Sequence, residues 1–196
     1  MTLKQTPSQT VGPYFAYGLT PRQYGYPFSS LADGALAGPA TEGRRIRLQG
    51  RVFDGAGEPV PDAMIELWQA NAQGRYNHPA DKRSDNLLDP DFKGFGRVGT
   101  DDLGSFVFAT VKPGAVAEDQ APHLNLIVFM RGLLSHAYTR VYFADEAANA
   151  SDAVLNSVAQ ERRGTLIAEA EETPAGPVYR FDIHMQGADE TVFFDV

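Results

Sequence analysis

Histidine and tyrosine are the residue types in this sequence that could bind a metal ion. Tyr76 and His78 follow a predicted strand that ends near Asn71, and His123 stands just before an apolar run. Histidine is the commonest metal ligand in proteins, but a lone histidine is more often a hydrogen-bonded structural residue. Residue type alone therefore permits a metal site without establishing one. The full set of histidines is His78, His123, His136 and His184.

Self-contained catalytic motifs are missing from the chain. It contains no His-Glu-x-x-His, no phosphate-binding loop and no Gly-x-Ser-x-Gly. Gly55 and Gly57 belong to a turn, since no helix follows them as a dinucleotide fingerprint requires. The absence of cysteine excludes disulfides, thiolate zinc sites and cysteine nucleophiles. A net charge of -8 without a basic stripe argues against nucleic-acid binding.

The elements that must position these residues are mostly strands. Apolar and polar residues alternate over 46–53, as in a half-buried strand, and 124–130 is nearly all apolar. Helical spacing is found only near 152–162, at Val154, Leu155 and Val158. Strands at short, turn-punctuated intervals predict an all-β fold, with an antiparallel β-sandwich core. The other predicted strands are 63–70, 105–111, 139–143, 178–186 and 191–194.

The composition and periodicity of the sequence divide the chain into an N-terminal arm and a domain. Residues 1–43 are rich in proline, glycine and aromatic residues without a regular period, which predicts an irregular N-terminal arm. Residues 44–196 form the predicted sandwich domain. Residues 1–9 lack the apolar core of a signal peptide, and the run 126–130 is far shorter than the roughly 20 residues that span a bilayer. We therefore expect a cytoplasmic protein.

Several runs of the sequence resemble the intradiol ring-cleaving dioxygenases. The stretch 65–78, Ile-Glu-Leu-Trp-Gln-Ala-Asn-Ala-Gln-Gly-Arg-Tyr-Asn-His, is similar to the first ligand region of that family. Further matches follow in the family's order and cover most of the chain from about residue 45. They lie at 100–104, 111–114, 121–123, 129–132, 179–183 and 190–195, and the N-terminal run 6–14 is shared too.

The resemblance implies a specific ligand set and shows where this chain departs from it. Iron-binding members hold ferric iron with two tyrosines and two histidines, of which Tyr76 and His123 remain here. The segment of the second tyrosine reads Gly-Ala-Val-Ala-Glu at 114–118, and Asn125 replaces the second histidine. Gln120 stands where the family keeps an arginine. Because ferric iron requires anionic oxygen and imidazole donors, we expect relic positions and no metal held by this chain.

The resemblance is strongest to the chain without iron in family members built from two kinds of subunit. It implies an iron-binding beta subunit as partner, alpha–beta pairs within a larger oligomer, and an arm that contacts the partner. The implied cofactor is Fe(3+) bound by that partner. The implied reaction cleaves protocatechuate with O2 to 3-carboxy-cis,cis-muconate, in aromatic degradation through β-ketoadipate, and this chain would not be active alone.

The substrate contacts of the family's iron-free chains carry over to Thr10, Gly12, Pro13, Tyr14 and Arg131. Protocatechuate carries a ring carboxylate, and the planar fork of arginine can bind a carboxylate through two hydrogen bonds. The plainer interpretation is that Arg131 is an exposed strand-end charge. In the same way, the arm could simply pack on its own domain.

Two other functions stay open at this point. One is a self-sufficient intradiol dioxygenase that uses Tyr76, His78 and His123 as atypical ligands. The other is a non-catalytic β-sandwich module that binds carbohydrate or resembles transthyretin. Such a module usually accompanies another domain or a secretion signal, and the sequence shows neither. The iron content and activity of the purified chain would separate these alternatives.

Overall fold

A computed structural model describes residues 13–83 and 88–196, with side chains described from Ala16 onward. The strands within these ranges are β1 Arg45–Phe53, β2 Met64–Trp68, β3 Phe95–Gly99, β4 Ser105–Val111, β5 His123–Phe129, β6 Ala137–Phe143, β7 Ile167–Thr173, β8 Gly176–Arg180 and β9 Ile183–His184. The α-helices are α1 Pro13–Leu19 and α2 Ala153–Ser157, and 3-10 helices span Pro21–Tyr24, Ala147–Ser151 and Gln160–Leu166. Within the described ranges, no helix has the length and apolar character needed to cross a membrane.

The strands form one mixed sheet in the order β3-β2-β5-β6-β7-β8-β1-β4, with β9 also paired to β1. Strand β6 runs parallel to β7, and β1 runs parallel to β8 and β9, whereas the other pairings are antiparallel. A mainly β fold is confirmed, but purely antiparallel pairing is not. The reason is the connection 144–166, whose helices carry the chain across so that β7 returns parallel to β6.

Strands from both ends of the sheet order contribute residues to one hydrophobic core. Inward-facing residues alternate with more exposed ones along β1 and β4, as the two-residue period of a strand requires. Each large side chain that is fully buried contributes about 1.5–3 kcal/mol relative to exposure. The core residues of β1, β2, β4 and β5 are Ile46, Leu48, Val52, Ile65, Leu67, Phe106, Phe108, Val111, Leu124, Leu126 and Val128.

The predicted strands differ from the observed ones at identifiable places. Strand β4 has the predicted bounds, and the predicted strand 178–186 is divided into β8 and β9. The predicted strand 191–194 is reduced to a single bridge between Tyr138 and Phe194. The sequence did not reveal β3, which contains two glycines, or β7, whose exposed residues are mostly acids.

The predicted helix near 152–162 is present as α2 followed by the 3-10 helix Gln160–Leu166. The buried carboxylate of Asp152 caps α2 by accepting a hydrogen bond from Leu155 N at 2.7 Å. The same carboxylate accepts from Ala121 N at 2.7 Å and from the Tyr142 hydroxyl at 3.0 Å. Asp152 therefore fixes the segment that leads into β5.

Candidate functional site

His123 and Asn125 lie on the face of β5 that points away from the core, and Tyr76 reaches Asn125 from the loop after β2. Successive side chains of a strand point to opposite faces, so Leu124 enters the core whereas His123 and Asn125 do not. Asn125 pairs with Trp68 of β2 on one side and with Arg140 of β6 on the other. We call the residues gathered here the relic cluster: Tyr76, His123, Asn125, Tyr138 and Arg140.

Asn125 connects the two tyrosines of this cluster. Its side-chain nitrogen donates to the hydroxyl of Tyr76 and to the carbonyl of Trp68, each at 3.1 Å. Its side-chain oxygen accepts from the hydroxyl of Tyr138 at 2.5 Å. The residue is buried, and buried amides are normally paired in this way. The amide at the second histidine position is thus a hydrogen-bond bridge.

Tyr76 is held as a neutral phenol. Its ring stacks on Trp68 with centroids 5.7 Å apart and an interplanar angle of 4°. Burial raises the pKa of its hydroxyl above the ordinary value, and the hydrogen bond from Asn125 opposes that shift only in part. Its backbone nitrogen donates to a carboxylate oxygen of Asp81 at 2.9 Å. The hydroxyl of Tyr76 is therefore protonated at neutral pH and accepts the hydrogen bond from Asn125.

His123 is buried in its neutral form. Burial and the nearby positive charge of Arg140 lower its pKa to about 4. Its Nδ1 lies 2.8 Å from the carbonyl oxygen of Ala121. A carbonyl can only accept, so Nδ1 carries the hydrogen and Nε2 keeps the lone pair. The orientation of the ring is therefore set by the loop that Asp152 fixes.

A fixed positive charge lies within the relic cluster. The guanidinium of Arg140 donates to the side-chain oxygen of Gln120 at 3.2 Å and lies near the hydroxyls of Tyr138 and Tyr142. Arginine keeps its proton in proteins, so this charge is permanent. It disfavours a metal cation bound close by.

The segment 114–118 packs against the loop that carries Tyr76. Gly114 N donates to Asn71 O at 2.9 Å, and Arg83 donates to Val116 O at 2.5 Å. Gly74 has φ of 79°, and a Cβ built there would lie 1.9 Å from the carbonyl oxygen of Ala115. Only glycine accepts both constraints without strain. The place of the second tyrosine is thus occupied by backbone packing.

The residues present do not fit ferric iron. They offer the phenol of Tyr76, already hydrogen-bonded to an amide, and the imidazole of His123, with an arginine beside them. Across 13–83 and 88–196, no three histidine, cysteine, aspartate or glutamate residues come together as a metal site. His78, the third ligand of the atypical alternative, contacts the ring of Trp68 at 6.0 Å between centroids. His78 lines the same cavity as Tyr76, whereas His123 is buried at the start of β5.

Arg131 lies in the turn after β5, where the sequence placed it. Its side chain is 66% exposed, and its Nε donates to the carboxylate of Asp62. Tyr24 lies beside both groups: burial and the charge of Asp62 raise the pKa of its hydroxyl, whereas Arg131 lowers it. Tyr24 also meets Tyr17 of α1 edge to face, with centroids 4.7 Å apart. We call Arg131, Asp62 and Tyr24 the Arg131 edge.

The Arg131 edge and the relic cluster stand at opposite ends of β5. At about 3.3 Å per residue, the strand from Asn125 to Phe129 spans about 13 Å, and Arg131 lies beyond it. The guanidinium of Arg131 and the relic cluster therefore do not share a pocket within one chain.

The remaining predicted contacts are only partly described. Thr10 and Gly12 lie outside the described residues. The backbone of Pro13 and Tyr14 forms the start of α1, and the structure does not describe their side chains. Asp62 and Arg140 were not predicted from the sequence. Arg140 had a weak signal, as the one charged residue in an otherwise uncharged strand, whereas Asp62 had none.

Comparisons with known proteins show the family of this chain. A family model described as Dioxygenase matches residues 12–187. The chain is 57% identical to the protocatechuate 3,4-dioxygenase alpha chain of Burkholderia cepacia, covering 100% of this chain and 99% of the relative. It is 37% identical to the corresponding beta chain of Burkholderia cepacia, covering 82% and 72%. The alpha chain of Pseudomonas putida is 44% identical, covering 98% and 97%.

Solved structures support the fold. The dioxygenase domain of a dioxygenase–carbohydrate-binding fusion from Streptomyces sp. SirexAA-E superposes with a TM-score of 0.63 at 22% identity, covering 83% of this chain and 94% of that one. The 3-chlorocatechol 1,2-dioxygenase of Rhodococcus opacus 1CP gives 0.60 at 21% identity, covering 81% and 69%. At these identities the likeness concerns the fold alone.

Proposed function

This chain belongs to the intradiol dioxygenase family, and from that premise we propose that it is the iron-free alpha subunit of a two-chain protocatechuate 3,4-dioxygenase. The observation that carries the proposal is the relic cluster, in which Asn125 bridges two tyrosines beside the charge of Arg140. A catalytic ferric ion then has to come from the partner. The 57% identity to an alpha chain over the full length supports the same assignment.

The proposed partner is a beta subunit that binds Fe(3+). The beta relative is itself 37% identical to this chain, so the two subunits would share a fold. The arm, residues 1–43, is proposed to contact that subunit. Tyr17, Tyr26 and Phe28 of the arm are exposed and form a series of ring contacts, and aromatic residues are enriched at interfaces. Alpha–beta pairs would assemble further, and the complex would work in the cytoplasm.

In the proposed reaction, protocatechuate and O2 give 3-carboxy-cis,cis-muconate, with both oxygen atoms inserted between the hydroxyl-bearing carbons. The partner's ferric ion would supply the oxygen chemistry. This chain would contribute binding and orientation. The guanidinium of Arg131 would take the ring carboxylate, and Thr10, Gly12, Pro13 and Tyr14 would line the pocket. A charged pair of this kind adds about 1.5–3 kcal/mol to binding.

Reconstitution tests the proposal. The chain and an iron-binding beta subunit are purified separately, and oxygen uptake with protocatechuate is measured for each alone and for the mixture. We expect no uptake from this chain alone and full activity from the complex. A beta subunit whose rate and substrate affinity are unchanged by this chain would contradict the proposal, and would favour a non-catalytic binding module.

A further inference from the structure

We infer that Asp62 is a positioning residue, which holds the guanidinium of Arg131 ready for the substrate's carboxylate. This inference rests on the proposed role of Arg131. The contact between the two side chains joins Arg131 Nε to Asp62 Oδ2. Asp62 is 25% exposed, whereas Arg131 is 66% exposed, so the acid is the better fixed partner of the pair.

The backbone around Asp62 is firmly held. The next residue, Ala63, is buried, and its nitrogen donates to the hydroxyl of Thr100 at 3.0 Å. The nitrogen of Thr100 donates back to Ala63 O at 2.8 Å, and its hydroxyl also donates to Val60 O at 2.7 Å. Thr100 is fully buried. The carboxylate of Asp62 therefore projects from a rigid point at the start of β2.

The bond through Nε leaves the outer end of the guanidinium available. Arginine carries five N–H donors in a planar fork, and a carboxylate can bind two of them in parallel. Among the described residues, Asp62 is the acceptor recorded for Arg131, and it takes Nε. The terminal pair, Nη1 and Nη2, then faces away from Asp62. That is the geometry needed for an incoming carboxylate.

Asp62 has two opposing effects on such a ligand. Its negative charge repels a second carboxylate, but the guanidinium stands between them and exposed charges are screened by salt. A long, exposed arginine loses rotational freedom when it binds substrate, and this entropy loss weakens binding. The hydrogen bond from Arg131 to Asp62 restricts the side chain beforehand, so less freedom is lost on binding. We expect the orienting effect to dominate, because Arg131 is otherwise largely exposed.

The test uses the complete alpha–beta complex and two substrates. We expect Asp62→Ala to raise KM for protocatechuate by about 3- to 10-fold, to leave kcat unchanged, and to leave catechol, which has no carboxylate, unaffected. Asp62→Asn keeps an oxygen that can accept from Nε, so its KM should lie between those of wild type and Asp62→Ala. Glu171→Ala is the control, because Glu171 forms a surface ion pair with a different arginine, Arg180, at 2.9 Å.

The outcomes separate this inference from the function on which it rests. If Arg131→Ala raises KM for protocatechuate and Asp62→Ala does not, the positioning role is overturned and the proposed function stands. If Arg131→Ala has no selective effect, the role of Arg131 fails and the positioning role of Asp62 fails with it, whereas the subunit assignment is decided by the reconstitution experiment. Equal losses for catechol and protocatechuate in the Asp62 variants would show a merely structural role. Thermal unfolding and complex size are measured for each variant. If Asp62→Ala does not fold, the more conservative Asp62→Asn variant provides the test.

Discussion

Asn125 donates a hydrogen bond to the hydroxyl of Tyr76 across 3.1 Å, at the place where the resemblance implies a histidine and a tyrosine sharing a metal. The same amide accepts from Tyr138 at 2.5 Å. The relic tyrosine is thus part of a satisfied polar network in this chain. Substitution of Tyr76 should therefore lower the free energy of unfolding of the chain and should not change a metal affinity.

The first prediction concerns that network. Asn125→Leu would leave the hydroxyls of Tyr76 and Tyr138 without their partner in a buried site, where each unpaired group costs about 1–3 kcal/mol. We expect the free energy of unfolding to fall by about 3 kcal/mol. Tyr76→Phe leaves the amide bonded to Trp68 and Tyr138, so it should cost only about 1 kcal/mol. Urea unfolding measures both, and equal losses would contradict the bridging role of Asn125.

The second prediction concerns rebuilding the metal site. Asn125→His should not give the chain ferric iron, because the second tyrosine is still missing and Arg140 still supplies a positive charge. Adding Arg140→Gln should strengthen metal binding relative to the single variant, since it removes the repulsion. Titration with Fe(3+), followed by visible absorbance, compares the two. An Asn125→His variant with one tightly bound iron per chain would show that Arg140 is irrelevant.

The third prediction is a pH dependence of stability. The folded chain holds the pKa of His123 at about 4, below the ordinary value of 6.5, so the unfolded chain takes up this proton first as the pH falls. The contribution of His123 to the free energy of unfolding is therefore fully present above about pH 6.5 and is lost progressively as the pH falls toward 4. The loss should reach at most about 1.4 kcal/mol per pH unit.

His123→Gln tests this assignment, because glutamine does not titrate. Unfolding free energies of the variant and the wild type are measured from pH 4 to pH 8. We expect the difference between them to shrink as the pH falls from 6.5, since only the wild type loses this contribution. A difference that stays constant across the range would mean that His123 is not the group responsible.

The fourth prediction addresses Arg131 directly. In the assembled complex, Arg131→Ala should raise KM for protocatechuate about tenfold or more, from the loss of a charged hydrogen bond, and should barely affect catechol. Arg131→Lys should recover only part of the affinity, since lysine keeps the charge but not the planar fork. Equal losses for the two substrates would remove the assigned role.

The sequence predicted the parts of the fold that depend on local patterns. Alternation located β1, and β4 has the bounds predicted for it. The turn at Asp54 forms as its composition indicated, with the carboxylate accepting from Ala56 N and Glu58 N. The spacing of Val154 and Leu155 located α2. Strand direction was not predictable in this way, because the parallel pairing of β6 and β7 is set by how the intervening helices cross.

The sequence also indicated which ligands are absent but not what replaces them. Asn125 was named from the resemblance, whereas its bonds to Tyr76 and Tyr138 depend on residues far apart in the chain. Arg140 joins the cluster because β6 pairs with β5 in a register that no local pattern reveals. The pairing of Asp62 with Arg131 is likewise a tertiary contact.

The account rests on this chain holding no catalytic iron, and iron content measures that most directly. The chain is expressed without its partner in iron-rich medium, purified, and analysed for iron by mass spectrometry together with its visible spectrum. We predict sub-stoichiometric iron, no tyrosinate-to-iron colour, and no oxygen uptake with protocatechuate. One iron per chain, with that colour and with ring cleavage by the chain alone, would contradict the account.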